Sequence, residues 1–319
     1  MLNLRAIESF HIGGRRVTLR GFPPEHRRLA QSAAPRAINP DGDCVTGQMY
    51  AQAFRLSAPR TRWPVLLWHG GGMTGVNWET TPDGRPGWLT RFLEDGWDVI
   101  VSDAVERGRA SWSRFPEIYV EPPLFRTKNE AWDMFRLGPA EGYATEPSER
   151  RAWSPQLFPI EAFDQFASQW VPRWTDHETI TQAAYDELIR SVGACVVIAH
   201  SQGAGFALRA AQTAPGVIRA VVALEPSGAP PAPEPGSNAP PPHLVLWGDR
   251  VKEHPVWRRY RATVDAYCAS LEPLGTGIDI IDLPSEGIVG NSHFLMMDRN
   301  SDALFTRVAS WLDSVTEER

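Results

Sequence analysis

The segment Val196-Val197-Ile198-Ala199-His200-Ser201-Gln202-Gly203-Ala204-Gly205 restricts the fold more than any other stretch of this sequence. Its opening residues are apolar without alternation, the pattern of a strand buried on both faces, as in a parallel sheet covered by helices. Within two residues the pattern becomes helical and stays so to Thr213, ahead of Pro215. So tight a strand-to-helix turn leaves little room two residues before and after Ser201, and Ala199 and Gly203 are both small. That context reads as a nucleophile elbow. Ser201 then stands at a helix N-terminus, whose free N–H groups favour developing negative charge. A Ser N-cap on an ordinary βα unit has the same local sequence, so other residues must decide.

The same rhythm recurs along the chain. Val65-Leu66-Leu67-Trp68, Val99-Ile100-Val101, Val221-Val222-Ala223-Leu224 and residues 243–247 and 278–283 are strand-length apolar runs. Helical patterns cover 88–95, 203–213, 256–271 and 301–315. Alternation of this kind predicts an α/β fold with a mostly parallel, doubly wound sheet. Residues 108–190 break the rhythm, being rich in Trp, Phe and Pro, with helical pieces around 129–135 and 160–170, and read as an inserted helical cap. The organisation expected is a core in two parts, 1–107 and 191–319, interrupted by the cap. Residues 229–242, which include two proline-rich runs, form a loop because most of them lack an N–H or favour turns.

Two further motifs have chemical content. His69-Gly70-Gly71-Gly72-Met73 follows the first apolar strand, and its glycines let the backbone approach a ligand with N–H groups turned inward. Such a loop can hold an oxyanion, with Gly71 or Gly72 and Gln202 as N–H donors, each worth about 3 kcal/mol. A phosphate loop is the rival, but neither Lys-Ser/Thr nor Gly-x-Gly-x-x-Gly follows. Gly290-Asn291-Ser292-His293 lies after the last strand and before the C-terminal helix, the place from which a general base arrives in chain order Ser, acid, His. His69 and His200, beside the glycine loop and Ser201, read as packing residues. The acid has two candidates at successive strand ends, Glu225 and Asp249. Asp249 has the commoner position, whereas a carboxylate at Glu225 would be costly without a partner.

Taken together, the sequence resembles the bacterial short-chain carboxylesterases of the α/β-hydrolase fold that use a Ser-Glu-His triad. The matching residues are Gly13-Gly14-Arg15, Val45-Thr46-Gly47-Gln48-Met49-Tyr50, His69-Gly70-Gly71, Trp78-Glu79-Thr80-Thr81-Pro82-Asp83-Gly84-Arg85 and Arg107-Gly108-Arg109. They continue with Phe135-Arg136-Leu137-Gly138-Pro139, His200-Ser201-Gln202, Glu225-Pro226, Gly290-Asn291-Ser292-His293 and Asp298-Arg299-Asn300. The resemblance implies Ser201 as nucleophile, Glu225 as acid, His293 as base, Gly71 and Gln202 as oxyanion donors, a homodimer, a small buried pocket, and neither cofactor nor metal. Ala199 stands where the elbow usually has glycine, and the chain departs from the esterase pattern with Gly71-Gly72 where such esterases can carry adjacent cysteines.

Composition narrows the partners. With 42% apolar and 22% charged residues and a net charge of -6 without a basic run, nucleic acid is not an expected partner. No apolar stretch approaches the ~20 residues of a membrane helix. The three cysteines lack metal or disulfide spacing, and with no visible signal peptide a cytoplasmic address is expected. The expected partner is a small ester. An acyltransferase or carbon–carbon hydrolase would keep Ser201 and His293 on this fold, and a non-catalytic binding protein is the alternative outside enzymes. Trp112, Trp132, Trp153, Trp170 and Trp174 fall in the cap, either as its own core or as an aromatic pocket wall favouring apolar groups over charged ones.

Overall fold

A computed structural model of the chain describes residues 2–113, 115 and 118–316. Its strands are β1 (Leu4–Leu19), β2 (Glu25–Arg27), β3 (Arg36–Ile38), β4 (Gly42–Leu56), β5 (Val65–Trp68), β6 (Val99–Asp103), β7 (Cys195–His200), β8 (Ile218–Leu224), β9 (His243–Trp247) and β10 (Ile278–Asp282). The helices that matter below are α1 (Val76–Glu79), α2 (Trp88–Glu94), α3 (Lys128–Met134), α4 (Phe163–Ala167), α5 (Glu178–Val192), α6 (Gln202–Thr213), α7 (Pro255–Leu271) and α8 (Ser301–Thr316).

One sheet has the strand order β1-β4-β6-β5-β7-β8-β9-β10, and β2 and β3 form a separate small ladder. From β6 onward all pairs are parallel, whereas β1–β4 and β4–β6 are antiparallel. Every residue of β5, β6, β7 and β9 is buried, as unbroken apolar runs require of strands covered on both faces. Alternate residues serve the two faces. Leu67, Val101, Ile198, Val222 and Leu246 pack with Trp88 and Phe92 of α2 and Leu304, Val308 and Leu312 of α8. Leu66, Ile100, Val197, Val221 and Val245 pack with Leu188 of α5, Ala207 and Leu208 of α6, and Val264 and Leu271 of α7.

The long β1–β4 hairpin was not among the expected strands. β1 is exposed or half-buried at all but its last position, so no apolar run announces it. α5 was also missed, although its buried positions Thr181, Ala184, Tyr185, Leu188 and Ile189 follow helical spacing. It lies within the range read as cap, but its Tyr185 ring stacks on Trp68 of β5, with centroids 3.9 Å apart.

The segment between β6 and α5 contains α3, α4 and irregular chain. Trp132 meets Phe163 edge to face at 5.3 Å, and Phe166 meets Phe294 of the core at 4.7 Å. Trp132 and Trp170 belong to the same apolar cluster as one face of the sheet. Trp174 stacks on Tyr119, Trp153 lies under the Arg250 guanidinium, and Trp112 is 41% exposed. Of the five, Trp132, Trp170 and Trp174 are buried packing residues.

Candidate active site

β7 ends at His200 and α6 begins at Gln202, so the whole reversal falls on Ser201, which takes φ 53° and ψ −118°. A non-glycine residue held there costs about 1–3 kcal/mol and persists only where its surroundings fix it. They do so here: Ser201 N–H donates to Leu224 O at 2.9 Å, and Ser201 O accepts from Ala204 N–H at 3.1 Å and Ser227 N–H at 3.2 Å. The turn is packed to the backbone. A Cβ at position 203 would run into the His69 carbonyl oxygen and stand 3.0 Å from that of Trp68. Gly203→Ala should therefore destabilise the protein by about 1–3 kcal/mol through overpacking. The measurement is a fall in urea midpoint at unchanged slope; an unchanged midpoint would show that the turn has room to spare.

The loop after β5 is fixed by its histidine. Ala104 N–H donates to His69 Nε2 at 2.9 Å, so the ring proton is on Nδ1, which lies 2.8 Å from Gly70 O and donates to it. Burial pushes the His69 pKa down to about 4, which keeps the ring in this neutral form. Gly72 has φ 72°, and its carbonyl accepts from Val171 N–H at 3.0 Å. A Cβ on Gly71 would run into Arg173 Nη1 and stand 3.0 Å from Gln202 Oε1, so any side chain there would have to displace the ends of those two residues.

His293 arrives on the loop after β10, and its Nδ1 lies 3.1 Å from Glu225 Oε2. Glu225 follows directly on β8, with φ 48° and no exposure. Its other oxygen, Oε1, accepts from Arg136 Nη2 at 2.7 Å and from Gly248 N–H at 2.5 Å. Burial raises the Glu225 pKa while the Arg136 charge and these donors oppose it. The ion pair and three donors favour the carboxylate. Trp257 covers the His293 ring, with centroids 4.1 Å apart, and Phe135 stacks on it at 5.6 Å. His293 N–H donates to Phe135 O at 3.1 Å, and His293 O accepts from His200 Nε2 at 2.8 Å. His200 is thus a buried, neutral brace for the loop.

Asp249 is placed differently. Its carboxylate accepts from Arg250 N–H and Gly290 N–H, each at 2.8 Å, and its own N–H donates to Asn291 O at 3.0 Å. It ties down the backbone of the His293 loop and does not meet the imidazole. Asp298 supports the same loop by accepting from Asn291 Nδ2, Ser292 N–H and Ser292 Oγ at 2.7–2.8 Å. Its burial pushes its pKa up to about 7 against those donors.

Ser201, Gln202, Gly70, Gly71 and His293 open onto one cavity of about 240 Å³. Glu225 stands behind His293. The Ser201 hydroxyl makes no hydrogen bond to another described residue, so the structure brings Ser201 and His293 to one cavity without joining them. Phe135, Trp257, Tyr260 and Phe294 form the cavity's aromatic wall, to which the five tryptophans named above do not contribute. Arg126, Arg136 and Arg173 were not among the expected site residues. Arg136 lies in the quoted stretch Phe135-Arg136-Leu137-Gly138-Pro139, but nothing local to that stretch marks it as a carboxylate partner.

Arg136 also acts on the imidazole. Burial comes first and the Arg136 charge second in pushing the His293 pKa well below its ordinary value. Removing a nearby cation makes protonation easier. In Arg136→Met the His293 titration, followed through its ring Cε1–H signal by NMR, should move to higher pH. A titration that stays in place would remove Arg136 from the electrostatics of the ring.

No family model matches the sequence. A protein described as the probable secreted lipase phiG, from a fungal species (strain ATCC 74256), is 25% identical over 353 residues, covering 91% of this chain and 93% of that protein. The solved structure of a bacterial esterase superposes with a TM-score of 0.83 at 29% identity, covering 99% of this chain and 98% of that one. The chain has the α/β-hydrolase fold. Ser201 occupies the strand-to-helix turn between β7 and α6, and Glu225 and His293 follow it in the chain after later strands. Among the described residues, no helix is long and apolar enough to cross a membrane.

Proposed function

We propose that the protein is a serine-dependent carboxylic ester hydrolase acting on short-chain or otherwise small esters through an acyl-enzyme on Ser201. The observation that carries this reading is one small cavity shared by Ser201, Gly71, Gln202 and a His293 whose Nδ1 is held by Glu225. With its proton on Nδ1 and donated to Glu225, His293 has Nε2 free to accept the Ser201 proton as the oxygen attacks the ester carbonyl. The N–H groups of Gly71 and Gln202 hold the oxyanion, the alcohol leaves with the proton from His293, and a water activated by His293 then frees the acid. The serine–imidazole contact that this requires forms with substrate in place, as such contacts commonly do. The cavity volume supports a small substrate, and the descriptions of the two relatives as lipase and esterase support an ester.

A fluorophosphonate probe tests the reading. It should label the protein at Ser201, shown by peptide mass, and abolish hydrolysis of p-nitrophenyl butyrate in proportion to labelling. Labelling elsewhere, or hydrolysis unaffected by full labelling, would sink the assignment. A homodimer in the cytoplasm belongs to the same reading. The fungal relative is described as secreted, and fractionation of the source cells decides between the two addresses.

A further inference from the structure

We infer that Arg126 and Arg173 form an anion subsite in the cavity, and that the ester it takes carries a carboxylate a few bonds from the scissile group. This rests on the ester-hydrolase reading above. Both side chains line the cavity with Ser201 and His293. They are brought there by one short antiparallel contact, in which Leu124 N–H donates to Arg173 O at 2.8 Å and Arg173 N–H donates to Leu124 O at 2.9 Å.

The two guanidiniums are not used up by the fold. Arg173 makes no side-chain hydrogen bond or ion pair to another described residue, and its Nη1 occupies the space that a side chain on Gly71 would fill. It therefore lies against the loop expected to hold the oxyanion. The Arg126 side chain is 12% exposed, covers the Phe135 ring at 5.0 Å, and has one carboxylate partner, Glu130, at 2.7 Å. Burial lowers its pKa, and the Arg173 charge lowers it further against the pull of Glu130, so the two cations feel one another. Among the described residues, the carboxylates lining the cavity are Glu130, about half exposed, and Glu178, which accepts from Gln202 Nε2 at 3.0 Å. Neither neutralises Arg173.

A guanidinium in a narrow cleft with no partner among the described residues favours a planar anion that accepts two parallel N–H bonds, which is the geometry of a carboxylate. The cavity of about 240 Å³ limits that anion to a few carbons. The apolar wall of Met134, Phe135 and Trp257 suits the short chain between carboxylate and ester. A half-ester of a short dicarboxylic acid has this form. The purely apolar substrate suggested by the aromatic content of the sequence does not use the two cations.

The test compares monoethyl succinate with ethyl 4-methylpentanoate, in which an uncharged branched end replaces the carboxylate at nearly equal size. Wild type should prefer the succinate in kcat/KM, and Arg173→Met and Arg126→Met should each lower that preference about 10- to 100-fold, the worth of a charge-assisted hydrogen bond. Arg173→Lys should retain part of it. Independently of turnover, succinate should raise the melting temperature of Ser201→Ala and fail to raise that of Ser201→Ala combined with Arg173→Met. Should Arg126→Met not fold, for want of its Glu130 pair, Arg173 alone decides the matter, because it has no side-chain partner among the described residues to lose. An unchanged preference in Arg173→Met, equal losses on both esters, or no succinate shift would overturn the subsite. Failure to hydrolyse either ester together with an unlabelled Ser201 would instead overturn the ester-hydrolase reading, and the succinate shift would still report on the subsite.

Discussion

Ser201→Ala is expected to lose hydrolysis of p-nitrophenyl butyrate by about 10⁵- to 10⁶-fold in kcat, the loss seen when a serine hydrolase forfeits its nucleophile. The protein should remain folded. Its hydroxyl makes no hydrogen bond within the described chain, and the turn is held by backbone bonds to Leu224, Ala204 and Ser227 that alanine keeps. Alanine at φ 53° is as strained as serine, so the melting temperature should hardly change. Glycine is at ease at that φ, and Ser201→Gly should be equally inactive and more stable by about 1 kcal/mol. The pair separates chemistry from conformation. Residual activity above about one per cent in a cooperatively melting Ser201→Ala protein would remove Ser201 from the mechanism, since the oxyanion donors alone leave far less.

What the sequence makes legible here follows from where the information sits along the chain. β5, β6, β7 and β9 are visible because burial on both faces demands an unbroken apolar run. β1 and β4 form the sheet's antiparallel end, where exposure permits Arg15, Arg16 and Asp43, and no such run survives. Ser201 and His293 are legible for a similar reason, each being marked by its own neighbours, a small-residue turn and a glycine-led loop. The arginines are not. Arg136 meets Glu225 across 89 residues, and Arg173 reaches Gly71 from the far end of an irregular insertion, so their meaning exists only once the chain is folded. The acid was ambiguous on the same ground, because Glu225 and Asp249 both end strands and only the folded loop separates their partners.

That separation yields the sharpest test. Glu225→Gln should lower kcat about 10⁴-fold, whereas Asp249→Asn should lower it less than about tenfold. The difference comes from what each amide is forced to do. In the wild type, Oε1 of Glu225 accepts from Arg136 Nη2 and Gly248 N–H, and both are obligate donors. Glutamine must therefore turn its carbonyl oxygen to them, which points its NH₂ at His293 Nδ1. That nitrogen then has to accept, the ring proton moves to Nε2, and the imidazole can no longer take a proton from Ser201. Lost charge adds to lost tautomer, and Arg136 is left buried without its counter-ion at a cost of about 3–5 kcal/mol in stability. Kinetics should accordingly be read at a temperature where both variants are folded. Asparagine at 249 meets two backbone donors, Arg250 N–H and Gly290 N–H, one on each carboxylate oxygen. Its NH₂ must face one of them, which costs about 1–3 kcal/mol of stability. The other backbone tie, from Asp249 N–H to Asn291 O, survives and keeps His293 in place. Should Asp249→Asn instead prove the nearly inactive variant while Glu225→Gln keeps most of its turnover, the hydrogen bond between Glu225 and His293 is a packing contact, and the orienting carboxylate is Asp249 acting in a rearranged loop.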